Sequence, residues 1–404
     1  MRLIGLACAA LASIHVAAPN ALSLSESPHS VPPPGYVVYS RLVGRWLPEE
    51  DMSGRYELFL LRVPGNGEPK RITNTSSDSG VKLGAAVWYP LFSPDGKQVL
   101  FTASSAPGNK NLDLLESPTY RRQGLNLLRI VLQGTEIKPI TTDGNGYEHF
   151  IWSPDGERVA AVQTGWPPRD QLESWDLARA KRYVLTKRPD AESITDVFWS
   201  TDGQNVLFQV WSSSGRQDPN LYAVCRNGGE AKVLIEGSGN RFGYSFSPSG
   251  KRVAFVQDGV VYTANSDSSQ VAAAMKRSET GGNVQWLRPQ WSPDGRKLAG
   301  AEVTSGDAAT QYKTALHVCD VIDRRDKVVV VLQDRVTGMK WSRDGQWIIL
   351  TTLRAGQTDT PDPETGWYTY HREGLAAASV ADGKLVVLKE PSEETKGITW
   401  FEAR

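Results

Sequence analysis

Ten-residue segments of one pattern recur six times along this chain, and they constrain its fold more than any other feature. Each begins with Phe or Trp, continues through Ser-Pro-Asp-Gly or a close variant, and ends in an apolar run. Their first residues are 60, 47, 47, 45 and 50 positions apart, so one structural unit repeats. The segments are Phe92–Phe101, Trp152–Ala161, Trp199–Phe208, Phe246–Phe255, Trp291–Gly300 and Trp341–Leu350.

The chemistry of the segment is that of a tight turn between two strands. Pro has its φ angle set for the second turn position, Asp bonds to its own backbone, and Gly accepts the positive φ that closes a hairpin. The aspartates are therefore predicted to stabilise turns and not to bind metal or catalyse. They are Asp95, Asp155, Asp202, Asp294 and Asp344.

After each turn the pattern continues as strand, loop, strand, turn and strand. In the fourth unit the predicted strands are 205–211, 220–225 and 231–236. Four strands per repeat, with no helical period, are typical of the blades of a β-propeller. The sequence predicts an all-β propeller of four-stranded antiparallel blades.

The two ends of the propeller region predict how the ring closes. Three strands are predicted before the first motif, at 36–41, 56–63 and 69–74, and they lack an innermost strand. At the other end, Trp400 falls 59 residues after Trp341, where a seventh motif residue is due. We expect 397–403 to complete the first blade, which gives seven blades and removes both open sheet edges. The alternative is six blades with an N-terminal extension.

The repeated Ser-Pro-Asp-Gly motif resembles the TolB-like, WD-type propeller repeat of exported bacterial proteins. The same repeat occurs in propellers of prolyl-oligopeptidase-type peptidases and of some polysaccharide lyases. The resemblance covers residues 36–404 and implies a propeller fold. A TolB-like protein implies protein partners at the cell envelope, and a lyase of this class implies a histidine-rich metal site.

The N-terminus predicts export. Arg2 precedes an apolar run, residues 3–18, and small residues follow, which is typical of a secretory signal peptide. We expect a signal peptide at 1–21, a Pro/Ser-rich leader at 22–35 and one propeller domain at 36–404. The protein is then periplasmic or secreted, with no membrane span after cleavage; an uncleaved anchor is the alternative.

Charge and cysteine content narrow the possibilities further. Lys+Arg and Asp+Glu both number 45, which argues against nucleic acid as a partner. Cys225 and Cys319 fall in the third strands of blades 4 and 6, too far apart for a disulfide. We therefore predict two free, buried thiols.

Residues before each motif aromatic mark the predicted mouth of the central channel. Three positions before it stand Tyr89, His149, Asp196 and Arg288, and Glu148 lies one residue earlier still. If the protein is an enzyme, Glu148, His149, Asp196 and Arg288 are the candidate catalytic residues. The alternative is that these groups bond to neighbouring blades and bind only water.

Long loops at the same rim carry tryptophan and arginine, which are favoured anchors at binding surfaces. The alternative is that the tryptophans cap the cores of blades. The candidate binding residues at the rim and mouth are Trp88, Tyr89, His149, Asp196, Arg288, Trp166, Trp211, Trp286, Arg121 and Arg122.

Catalytic motifs are absent from the sequence: it contains no Gly-x-Ser-x-Gly, no phosphate-binding loop and no Cys-x-x-Cys. His317 and His371 are predicted in third strands, away from His149, so we expect no metal and no cofactor. The hypothesis is an exported, monomeric, non-catalytic protein that binds a protein or peptide at the rim. The alternatives are a glycan-binding module and a polysaccharide-lyase-type enzyme, in which those four candidate residues together supply a base, an electrophile and carboxylate binding.

Overall fold

A computed structural model of the chain describes most of the predicted propeller domain and the last residues of the leader. The predicted signal peptide, 1–21, lies outside the described residues. Residues from Pro32 onward form one compact unit, and no helix among the described residues is long and apolar enough to cross a membrane. The described residues are 31–43, 55–65, 67–73, 83–105, 125–133, 136–164, 170–187, 193–211, 218–277, 283–305, 312–357, 369–392 and 395–403.

The described residues form twenty-nine strands in seven antiparallel sheets, numbered here as blades 1 to 7 in chain order. Six of the sheets have four strands, and blade 6 has a fifth because its innermost strand is broken in two. The first three blades consist of β1 (Gly35–Val43), β2 (Arg55–Val63), β3 (Lys70–Arg71) and the final strand β29 (Thr395–Glu402); β4 (Leu83–Phe92), β5 (Gln98–Ser105), β6 (Leu125–Val131) and β7 (Glu136–Pro139); and β8 (Tyr147–Trp152), β9 (Arg158–Gln163), β10 (Gln171–Asp176) and β11 (Lys181–Lys187).

In blades 4 to 7 the chain order of the strands runs from the innermost strand outward. They consist of β12 (Ser193–Trp199), β13 (Asn205–Trp211), β14 (Leu221–Cys225) and β15 (Lys232–Ile235); β16 (Arg241–Phe246), β17 (Arg252–Gln257), β18 (Val260–Asn265) and β19 (Ala272–Met275); β20 (Asn283–Trp286), β21 (Gln290–Trp291), β22 (Lys297–Ser305), β23 (Tyr312–Asp320) and β24 (Arg325–Leu332); and β25 (Arg335–Trp341), β26 (Trp347–Gln357), β27 (Thr369–Ser379) and β28 (Leu385–Ser392).

The last strand closes the ring as predicted. β29 pairs with β1 in a register that runs from Gly35 opposite Glu402 to Arg41 opposite Thr395. Gly35 is required there, because a Cβ at this position would collide with the indole of Trp400. Seven blades with a shared first blade are therefore confirmed, and the six-blade alternative is wrong.

The repeated turns have the chemistry that the sequence predicts. In the first copy, the Ser93 hydroxyl donates to Asp95 Oδ1 at 2.6 Å, and the same carboxylate oxygen accepts from the Lys97 backbone N–H at 3.1 Å. Gly96 has φ of +72°, and a Cβ there would collide with the Phe401 ring. The turn glycine thus serves both the hairpin and the packing between blades.

Acid is expected to destabilise the protein through these turns. Hydrogen bonds from the hydroxyls of Ser200 and Ser292 hold the pKa of Asp202 and Asp294 below the ordinary value. A carboxyl whose pKa is lower when folded stabilises the fold above its unfolded pKa, about 3.9, and loses that contribution as pH falls further. The double variant D202N/D294N should therefore show a smaller fall in melting temperature than wild type between about pH 5 and pH 3.

A matched control for this experiment is Asp323→Asn, an exposed aspartate. Its side-chain carboxylate accepts no hydrogen bond within the described residues, so D323N should follow the wild-type curve. Equal acid sensitivity in all three proteins would contradict the assignment.

The hydrophobic core is divided among the contacts between blades. Buried apolar side chains among the described residues form seven clusters, each shared by two adjacent blades. Four motif tryptophans connect the blades further, because their indole N–H groups donate to carbonyls of the preceding blade, whereas Trp400 Nε1 is buried with no hydrogen-bond partner among the described residues. Those bonds run from Trp152 to Leu91 at 3.2 Å, Trp199 to Ile151 at 3.3 Å, Trp291 to Ser245 at 3.1 Å and Trp341 to Gln290 at 2.9 Å.

The cysteine prediction is half right. Cys225 and Cys319 are both free, and Cys319 is buried, but Cys225 is exposed. Cys225 is the last residue of β14, where its carbonyl accepts the turn bond from Gly228, so it lies at the blade surface. Burial raises the pKa of the Cys319 thiol to about 11. This thiol is therefore unreactive, and Cys319 packs as a small apolar residue.

Candidate functional site

Irregular backbone marks one level of the innermost strands around the channel. Pairing registers shift near the residue three positions before the motif aromatic, for example between Glu148 and Ile151 and between Thr195 and Phe198. Residues at this level have positive φ: Tyr89 at 54°, His149 at 49°, Asp196 at 51°, Gly243 at 65° and Gly397 at 61°. In blade 6 the strand is interrupted there, between β20 and β21, and Arg288 occupies the break.

Three of these positions hold residues other than glycine, at a conformational cost. A non-glycine residue in the left-handed region costs about 1–3 kcal/mol and occurs preferentially at functional sites. Bulges beside active sites change the direction of a side chain. Tyr89, His149 and Asp196 lie in the consecutive blades 2, 3 and 4, so we treat this level, the channel mouth, as the candidate site.

Arg288 and Asp196 form an ion pair across the mouth. Arg288 Nη2 lies 2.9 Å from Asp196 Oδ1, with the two side chains 28% and 32% exposed. The guanidinium also stacks over the Phe198 ring, 4.7 Å from its centre. The pair joins blades 6 and 4 and passes blade 5 at Gly243, where a Cβ would lie 3.4 Å from Arg288 Cα. Glycine at 243 therefore leaves room for the arginine.

Tyr89 and His149 are the accessible groups at the same level. Tyr89 is 59% exposed, His149 is exposed, and the neighbouring Glu148 is half-buried. The mouth thus presents a phenol, an imidazole and a positioned guanidinium. Such a set can bind a carboxylate and exchange a proton with a bound substrate.

A second feature of the channel lies at its turn end, and the sequence analysis missed it. A cavity of about 360 Å³ there is lined by the innermost strands and turns of blades 7, 1, 2 and 3. Two cations line it, Lys340 and Arg343. The sequence did contain a signal for this cavity. The residue directly before the motif aromatic is apolar in the first two copies, Leu91 and Ile151, but it is Lys340 in the sixth.

The predicted rim residues have different outcomes. Trp211 is 44% exposed at the end of β13, but Trp286 is 2% exposed and donates its indole N–H to the Gly259 carbonyl at 2.9 Å. Trp286 thus belongs to the core between blades 5 and 6, which corrects its assignment to the rim. Trp88 lies in β4, and nothing is described of its side chain; Trp166, Arg121 and Arg122 lie outside the described residues.

The histidines do not gather into a metal site in the part of the chain that the structure describes. No three His, Cys, Asp or Glu side chains there are placed to hold a metal ion. His317 is buried in β23 with Glu302 at 3.2 Å and Asp326 at 3.1 Å, and His371 lies on β27. Both are in third strands, as predicted. The described residues therefore do not fit the histidine-rich metal site that the lyase resemblance implies.

Comparisons with known proteins give one curated relative and many propellers. No family profile matches this chain. It is 28% identical over 176 residues, 39% of this chain and 26% of the relative, to the uncharacterized peptidase YuxL of Bacillus subtilis. The chain thus spans about a quarter of the length of that relative.

Similar solved structures share the fold at low identity. An oligogalacturonate lyase from Vibrio parahaemolyticus is 14% identical, with a TM-score of 0.54 and coverage of 88% of this chain and 86% of that chain. A prolyl endopeptidase is also 14% identical, with a TM-score of 0.54 and coverage of 88% and 50%. TolB from Acinetobacter baumannii is among the neighbours, 14% identical, with a TM-score of 0.46 and coverage of 91% and 66%.

These comparisons overturn one expectation. The expected non-catalytic binding or scaffold protein is contradicted by the curated relative, which is a peptidase. The lack of standard catalytic motifs did not exclude an enzyme, because unrelated activities occur on one fold.

Proposed function

We propose that this chain is an exported enzyme of the polysaccharide-lyase type, acting on an acidic oligosaccharide at the channel mouth. The observation that carries the proposal is the Arg288 guanidinium, held by Asp196 at 2.9 Å, at the level where His149 and Tyr89 are exposed. A monomer in the periplasm or outside the cell, where such sugars occur, belongs to the same proposal.

The chemistry follows from these groups. Arg288 binds the carboxylate of a uronic acid unit, which acidifies the neighbouring C5–H bond. His149 removes that proton as general base. The electron pair forms the C4–C5 double bond and expels the glycosidic oxygen from C4, which takes a proton from Tyr89 or water. One chain becomes two and no water is consumed. Asp196 is a positioning residue, and no step passes through a metal.

The test uses the purified full chain with pectate, alginate and a glycosaminoglycan, followed by the ultraviolet absorbance of the unsaturated product. Arg288→Ala should lower kcat/KM about 100-fold or more, because it removes the carboxylate partner. Asp196→Asn should mainly raise KM, since a misplaced guanidinium binds the substrate less well. His149→Ala should lower kcat.

A matched control is Arg325→Ala, an exposed arginine on the outer strand of blade 6, which should leave kcat/KM unchanged. The proposal fails if wild type releases no unsaturated product from any of the three polymers. It fails equally if R288A is as active as wild type.

A second candidate is peptide hydrolysis, supported by the 176-residue match to a curated peptidase. Internally quenched peptides distinguish the two activities in the same protein preparation. Peptide cleavage without any release of unsaturated sugar would favour the peptidase type and remove the lyase.

A further inference from the structure

The cavity at the turn end of the channel is separate from the channel mouth. It is lined from the residue directly before the motif aromatic onward, whereas Tyr89 and Asp196 stand three residues before that aromatic, about 6 Å or more away along a strand. Its walls are mainly aromatic, formed by Trp152, Trp341, Trp400 and Phe401. Its volume, about 360 Å³, falls in the range of small-molecule sites.

Two cations line this cavity without an acidic partner for their side chains. Lys340 Nζ lies 5.8 Å from the centre of the Trp400 ring, and the Arg343 guanidinium lies 5.4 Å from that of Phe401. Neither side chain has a carboxylate within salt-bridge distance among the described residues. Glu402, the acid of the lining, accepts a hydrogen bond from the Arg343 backbone N–H at 2.7 Å.

The surroundings show that these two cations are not required by the fold. Burial and the charge of Arg343 lower the pKa of Lys340, and the charge of Glu402 opposes them, so an anion bound beside Lys340 would favour the charged lysine. The Arg343 position holds Pro94, Pro154 and Thr201 in the first three copies. The hairpin therefore forms without arginine, and the two cations are departures from the repeat.

We propose that this cavity is a binding site for a small organic acid, a carboxylate on a six-membered ring. The aromatic side chains of the lining are 4–8% exposed, so it is their exposed edges that contact the ring. Lys340 and Arg343 bind the carboxylate by charge-assisted hydrogen bonds. The site is independent of the lyase proposal, because binding here needs no turnover.

Two kinds of acid share this chemistry, a sugar acid and an aromatic acid. The probes are D-galacturonate and phenylacetate, each titrated into the full chain and followed by tryptophan fluorescence, because three tryptophans line the cavity. D-galactose, which has the same ring without the carboxylate, is the neutral control.

The variant is designed from the repeat itself. K340Q/R343T places in the sixth copy the residues that other copies hold at these positions, Gln290 and Thr201, so the fold should be retained. R288A removes the carboxylate partner that the proposed function gives to the mouth, so titration of R288A shows how much of the signal comes from the mouth.

The proposal expects saturable binding of at least one acid and none of galactose. K340Q/R343T should weaken the binding that remains in the R288A protein about tenfold or more, because both cations that bind the carboxylate are lost. Whichever of galacturonate and phenylacetate binds more tightly then shows whether the cavity prefers a sugar ring or an aromatic ring. No saturation with either acid, equal binding of galactose, or equal affinity of the R288A protein with and without K340Q/R343T at unchanged melting temperature would each overturn the proposal.

Discussion

Deletion of residues 397–404 is expected to abolish cooperative folding and to produce aggregates. The deletion removes most of β29, the innermost strand of blade 1, and leaves β1 with an unpaired edge. An open edge of this kind is a template for pairing with other chains. It also removes Trp400 and Phe401, which are 4% and 8% exposed and pack against blades 7 and 2 respectively.

A single substitution measures the same closure in a protein that still folds. Trp400→Ala should lower the free energy of unfolding by about 3–5 kcal/mol, the usual cost of truncating a buried aromatic residue. The matched control is Trp211→Ala, which removes a tryptophan that is 44% exposed and should change stability by about 0.5 kcal/mol or less. Urea unfolding, followed by circular dichroism, gives both values.

The deletion and the substitution test the same closure of the ring. If the shortened chain melts like wild type, or if W400A and W211A cost the same, then β29 does not contribute to closure of the ring.

The second large effect is expected from the buried acidic and histidine side chains of blade 6. His317 is 2% exposed, with its Nε2 3.2 Å from Glu302 and its Nδ1 3.1 Å from Asp326, and its ring packs edge-on against Trp286 at 5.0 Å. His317→Leu should lower the free energy of unfolding by about 2–3 kcal/mol, because the buried Glu302 carboxylate loses its hydrogen bond to the His317 ring.

A double variant separates the loss of charge pairing from the loss of packing. H317L/E302L replaces both buried partners by apolar groups, and it should recover part of the stability that H317L loses. Equal stability of H317L and wild type would show that the histidine does not compensate Glu302. A double variant less stable than H317L would show that packing, and not charge, decides the effect.

Much of the fold follows from the sequence because the information is local. Ser93, Asp95 and Gly96 act within one hairpin, and the same residues act alike in other copies, so six copies define the blade and its spacing. Trp400 could be placed because it continues the period. The third-strand positions of His317 and His371 followed from the same register.

The candidate site followed only in part. The register of the motif placed Tyr89, His149, Asp196 and Arg288 at one level, but it could not indicate that Arg288 reaches past Gly243 to Asp196. Trp286 was misplaced because a tryptophan near a strand end fits a rim or a core equally well in a linear pattern. Cys225 was misplaced because the last residue of a short strand can face solvent.

The sequence by itself determined the turn chemistry, which depends on residues a few positions apart, and the number of blades and the closing strand, which follow from the period of the motif. Only the tertiary structure decided which side chains meet inside the channel. Asp196 and Arg288 are 92 positions apart, and the turn-end cavity is lined by segments from four blades. Contacts of that kind depend on how bulged strands orient their side chains around the ring, and no local pattern encodes that orientation.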